Sequence, residues 1–161
     1  MAGATPQPPD RIALSLAATR EGFAGSFDEL RRGLDALPLD TRARFSAELV
    51  FEEVVANLVR HGARPDGQTT LSLDVELWDH DVQLTFQDDG VPFDPRDRPD
   101  PAPPRDLEHA ETGGRGLMLI RSVSTALEYT RTPEGRNRLT VTVSRDATAR
   151  VRMSDGARSG A

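Results

Sequence analysis

The spacing of apolar residues switches between two periods along this chain, and the switches divide it into elements. Ile12, Leu14 and Leu16 occupy every second position of Arg11 to Ala17, the alternation of a half-buried strand. From Phe23 to Leu37 the apolar residues return at helical spacing, and Pro38 follows. Asp40 or Thr41 is placed to cap a longer helix reaching about His61, with Gly62 as its stop. Two further alternating runs, Thr69 to Trp78 and Asp81 to Gln87, have only Asp79-His80 between them and predict a hairpin. Gly116 to Leu127 reads as a third helix. Leu127 to Thr132 and Asn137 to Ser144 read as a second hairpin, turning through Pro133-Glu134-Gly135.

The intervening segments differ in kind. Pro95 to Thr112 carries five prolines (Pro95, Pro99, Pro101, Pro103 and Pro104) and many charges, so no regular element is expected before about Arg105 to His109. A loop of that length in a compact domain is usually functional, often a lid. Residues 1–10 and 146–161 are rich in small, polar or proline residues and are expected to be disordered tails. What remains, 11–145, is one domain, large enough to bury a core.

Composition narrows the chemistry. The net charge of −6 argues against broad binding to nucleic acid or anionic membrane. No apolar run approaches the ~20 residues that span a bilayer, and the first residues lack a signal-peptide core; the cytoplasm is the expected compartment. Cysteine is absent, which excludes disulfides, Cys–Zn sites and thiol catalysis. All 20 basic residues are arginine. A P-loop, a eukaryotic-type kinase site and a Schiff-base enzyme all need a lysine, so any phosphate here must be met by backbone N–H groups, arginine or a metal ion.

Three clusters, in order, carry candidate chemistry. On the long helix, Val50, Phe51, Val54, Val55, Leu58 and Val59 form an apolar arc, with Glu53, Asn57 and Arg60 on the other side. Glu53 and Asn57 are four residues apart and can point into one cleft. A carboxylate beside an amide oxygen suits Mg²⁺, which takes hard oxygen ligands and keeps waters and phosphates; a plain solvated helix face is the alternative. At the strand end, Asp88 keeps the inward parity of Val82, Leu84 and Phe86. An inward carboxylate needs donors. An adenine amine is one such donor, and Gly90 would let a ring approach the backbone; an ordinary Asp-Gly turn before Pro92 is the alternative. Phe93 is placed to anchor the loop that follows. Gly113-Gly114-Arg115-Gly116 opens the third helix, where free N–H groups suit phosphate and Arg115 adds charge; a merely flexible helix start is the alternative. The order of the three, on helix, strand end and helix start, points to a nucleotide site.

That order resembles the ATPase domain shared by bacterial histidine kinases, gyrase-type topoisomerases, Hsp90 chaperones and MutL, the GHKL superfamily. Its small stand-alone branch, the anti-sigma-factor serine/threonine kinases, is the most similar. The N box is Glu53 to Asn57 followed by Leu58-Val59-Arg60-His61-Gly62. The first glycine box is Asp88-Asp89-Gly90-Val91-Pro92-Phe93-Asp94-Pro95, and the second runs from Gly113 to Arg121. Leu127-Glu128-Tyr129 and Asn137-Arg138-Leu139-Thr140 also resemble this branch, so the likeness covers about Arg11 to Arg145. It implies an α+β fold of the Bergerat, histidine-kinase-like type: a two-layer sandwich, helices over one face of a mostly antiparallel sheet. It further implies ATP between the helices and the 95–112 lid, with Asp88 on the adenine amine and Gly90 beneath the ring. Asn57 would ligate Mg²⁺, Gly114, Arg115, Gly116 and Leu117 would lie near the phosphates, and Thr140 would support the base through water. Glu53 would be the general base. The partners implied are a sigma factor or other regulator and an anti-sigma-factor antagonist protein, and a homodimer is the common state of the branch. The function implied is phosphorylation of that antagonist in a partner-switching pathway; the alternative is a nucleotide-binding module that sequesters a partner without transfer. No helix precedes the domain to offer a phospho-accepting histidine, and His61, His80 and His109 are not so placed. Arg96, Arg98, Arg105 and Arg115 are the candidates to reach a phosphate, and plain solvation is the alternative for arginines in such a loop.

Overall fold

The computed structural model describes residues 10–97 and 115–145. The expected tails, apart from Asp10, and all but the first three residues of the expected lid lie outside that range. Strand β1 (Arg11–Ala17) leads into helix α1 (Arg20–Ala36), which starts three residues before its first apolar position. Thr19 is the reason: its hydroxyl accepts the Gly22 N–H at 3.1 Å, satisfying one of the amides a helix start leaves open. Helix α2 (Thr41–Asn57) is capped as expected by Asp40, whose carboxylate accepts the Ala43 N–H at 2.6 Å. Replacing Asp40 by alanine should lower stability by about 1 kcal/mol, read as a lower urea midpoint with an unchanged slope.

The helical path continues to Gly62, as the spacing predicts, but its last five residues widen into a π turn, Leu58–Gly62. Val59, at the edge of the apolar arc, is 37% exposed. Strands β2 (Thr70–Leu77) and β3 (Asp81–Asp88) form the first hairpin, closed by Trp78 N–H to Asp81 O at 2.8 Å. Pro95–Asp97 makes one 3₁₀ turn.

Helix α3 (Arg115–Val123) is shorter than its spacing suggests, because the chain enters strand β4 (Ser124–Arg131) directly. Ile120, Val123 and Leu127 fit a helix, but Ser124 to Arg131 pairs along β5 (Asn137–Ser144), with Leu127 opposite Val141 and one irregularity between Ser124 and Ala126. The ladder overrides local spacing. The β4–β5 turn has Thr132 N–H on Arg136 O at 2.8 Å and Gly135 at φ 76°, a conformation glycine takes without strain.

The sheet runs β1-β2-β3-β5-β4 with every neighbour antiparallel. Alternation puts Leu14, Leu73, Val75, Leu84, Phe86, Val141 and Val143 on one face, where they pack with Leu30, Leu34, Val50, Phe51, Val54 and Ile120 of the helices. Phe51 stacks on Phe23 and Phe27 at 5.7 and 6.0 Å between ring centres. The result is the expected two-layer α+β sandwich, with helices on one face of an antiparallel sheet.

Candidate nucleotide site

Between the C-terminal half of α2, the end of β3 and the middle of α3 lies a cleft. Asn57, Phe86, Asp88, Phe93 and Ile120 are among its lining residues. The apolar arc of α2 is buried through Phe51, Val54, Val55 and Leu58, which leaves Glu53 and Asn57 half-buried along its edge. Both meet the first turn of α3. A Cβ on Gly116 would clash with Glu53 Oε2, lying also 3.2 Å from Glu53 Cδ and 3.6 Å from Asn57 Nδ2. A side chain at 116 would displace the Glu53 carboxylate, so glycine there leaves that carboxylate against the first turn of α3. The amides of that first turn have no partner inside the helix, so carboxylate, amide and free N–H groups share one place. Leu117 is 7% exposed, so its contribution there is limited to its backbone.

Burial pushes the Glu53 carboxyl above the ordinary carboxylate range; neighbouring Glu52 adds to the effect and Arg60 opposes it. A carboxylate raised in this way is a better proton acceptor than one in water. Among the described residues no three acidic or histidine side chains converge as a cage for a metal. The donor set fits a cation that takes one or two protein oxygens and keeps water and phosphate for the rest, as Mg²⁺ does.

At the other end of the cleft, Asp88 follows the inward parity of β3 and is largely buried. Burial raises its carboxyl, while donors from Asn137 and the Gly90 N–H, both at 2.8 Å, act the other way. Gly90 is tightly enclosed: a Cβ there would clash with Gly62 O and sit 2.8 Å from Asp88 Oδ1. The next residue ties this loop to α2, with Val91 N–H on Gly62 O at 2.9 Å. The π turn supplies that carbonyl. Phe93 is half-buried in the lining, as an anchoring residue should be.

Thr140 is placed elsewhere. It alternates with inward Leu139 and Val141, and it sits opposite Thr85 and Glu128 on the sheet face away from the helices. From there it cannot reach the base end of the cleft, directly or through one water. The residue that does is Asn137, three positions earlier on the inward parity and 4% exposed. Its amide joins Asp88 to Tyr129 and Arg131, neither of which spacing singles out. Tyr129 and Asn137 fall in the two stretches that resemble the family, and an asparagine heading a row of inward apolar residues was the further signal. Arg96 is engaged by Asp94, with Nη2 to Oδ2 at 2.7 Å, and lies over the Tyr129 ring. Gly113, Gly114, Arg98, Arg105 and His109 lie outside the described residues; Arg115 opens α3.

The sequence pattern of the histidine kinase-like ATPase domain matches residues 16–143. The chain belongs to that family. The serine/threonine-protein kinase BtrW of Bordetella bronchiseptica is 35% identical over 101 residues, 63% of this chain and 70% of that protein. Among solved structures, the RsbU and RsbW domains of Rv1364c from Mycobacterium tuberculosis superpose with a TM-score of 0.55 at 18% identity. That match covers 85% of this chain and 33% of that one, and it supports the histidine kinase-like ATPase fold. No helix among the described residues is long and apolar enough to cross a membrane.

Proposed function

We propose that this protein is an ATP-dependent serine/threonine protein kinase that phosphorylates an antagonist protein and binds a sigma factor or other regulator in a partner-switching pathway. One observation carries the reading: Asn57 and Asp88 line one cleft, and Glu53 lies beside Asn57 against Gly116 in the first turn of α3. The likeness to a serine/threonine-protein kinase supports it. When bound, ATP supplies the phosphoryl group and Mg²⁺ neutralises charge developing on its oxygens. Asn57 would ligate the metal and the first-turn amides of α3 would meet phosphate oxygens. Asp88 would accept from the adenine amine, with Gly90 leaving room beneath the ring. Glu53 takes the proton of the acceptor serine or threonine as its oxygen attacks phosphorus and the bond to the leaving diphosphate breaks. The enzyme works in the cytoplasm, and a homodimer is its proposed state.

The test is titration of ADP and ATP with and without Mg²⁺, followed by transfer of labelled phosphate to a cognate antagonist. Metal-dependent binding that weakens in Asn57→Ala, together with labelled antagonist, is the expected result. Binding without label, with the partner still retained, would make the protein a sequestering module. No binding would end the nucleotide reading.

A pH dependence follows from Glu53. Protonated, it cannot accept a proton, and burial raises the pH at which it protonates. At saturating ATP the transfer rate should fall on acidification, beginning above the pH at which an exposed glutamate titrates. Glu53→Gln should show a flat profile over the same range.

A further inference from the structure

Asn137 is a buried amide whose hydrogen-bonding capacity is fully used. Its Oδ1 accepts from Tyr129 Oη and from Arg131 Nη1, each at 2.7 Å. Its Nδ2 donates to Asp88 Oδ1 at 2.8 Å and to Val91 O at 2.9 Å. The guanidinium can only donate and the Val91 carbonyl can only accept, so the amide has one workable orientation. Its N–H₂ therefore faces Asp88. Gly90 N–H also falls on Asp88 Oδ1, so both of that oxygen's acceptor sites are taken. Oδ2 is left as the oxygen able to meet a ligand in the cleft that Asp88 lines.

We propose that Asn137, held by Tyr129 and Arg131, is a positioning residue that fixes Asp88 as an acceptor for the base and so makes the cleft select a 6-amino purine over a 6-oxo purine. The inference rests on the nucleotide reading above and adds the source of its base preference. Two N–H donors on Oδ1 fix the carboxyl plane and favour its charged form, which accepts only. An adenine amine donates to it. The carbonyl of hypoxanthine presents a second acceptor, and the pair is left unmatched. The relay begins on β4, outside both glycine boxes and the N box.

The experiment is calorimetric titration of ADP and of inosine diphosphate, in Mg²⁺, into the wild-type chain, Asn137→Ala and Tyr129→Phe. The wild type should prefer ADP by ~10²-fold, as a charge-assisted hydrogen bond implies. Asn137→Ala should narrow that ratio to about tenfold, with most of the change in ADP. Tyr129→Phe keeps the ring that lines the cleft and removes one donor to Asn137 Oδ1; it should narrow the ratio about two- to threefold. If Asn137→Ala does not fold, Tyr129→Phe decides. Equal losses for both nucleotides, leaving the ratio unchanged, would show a merely structural role and overturn the proposal. So would a wild type that binds both alike, with the nucleotide reading intact. Failure of the wild type to bind either would instead overturn that reading, and the proposal with it.

Discussion

Glu53→Gln should bind ADP within about twofold of wild type and transfer phosphate ~10²–10⁴ times more slowly, the usual contribution of a positioned base. The substitution keeps the shape that packs on Gly116 and removes only the ability to take a proton. Glu53 is half-buried at the edge of the helix, so the thermal midpoint should not fall. Burial holds that carboxyl above its ordinary range, so at pH above its titration the loss of its charge should raise stability. Single-turnover transfer and a melting curve on the same sample check both halves. Equal transfer in wild type and variant would exclude Glu53 as the base, whatever the nucleotide affinity.

Gly90→Ala is expected to fail differently. Its new methyl would meet the Gly62 carbonyl, which is backbone and is already held by Val91 N–H. Relief requires moving the loop after β3 or the π turn after α2, so overpacking should cost about 1–3 kcal/mol. Asp88 Oδ1, 2.8 Å from the same methyl, would shift as well. ADP affinity should drop about tenfold or more, the equivalent of one weakened hydrogen bond. Chemical denaturation and ADP titration read the two effects separately. An unchanged denaturation midpoint would mean that the strand-end loop yields to the methyl without cost.

The strands and the order of the layers were legible because each strand has one buried face, and period two announces it; β1 appears with the boundaries its alternation predicts. Glu53, Asn57, Asp88 and Gly116 were legible because chemistry and spacing coincide there. The end of α3 was not, since Ile120, Val123 and Leu127 satisfy a helix locally and only the partner strand β5 decides otherwise. Thr140 was misplaced for a related reason: a motif names a residue type, while the face it occupies depends on register. Counting by twos from Val141 or Val143 would have turned Thr140 outward and Asn137 inward. The Arg131–Asn137–Asp88 relay joins residues 43 and 49 positions from Asp88 in sequence order, and no local pattern reports such a meeting.

The bond from Val91 N–H to the Gly62 carbonyl has a spectroscopic consequence. It joins the helix bearing Glu53 and Asn57 to the loop bearing Gly90, so the two walls cannot separate without releasing that amide proton. Val91 itself is 39% exposed, which puts solvent within reach the moment the bond opens. Its hydrogen–deuterium exchange rate is thus a native gauge of how often the cleft gapes, one that needs no dye, label or substitution.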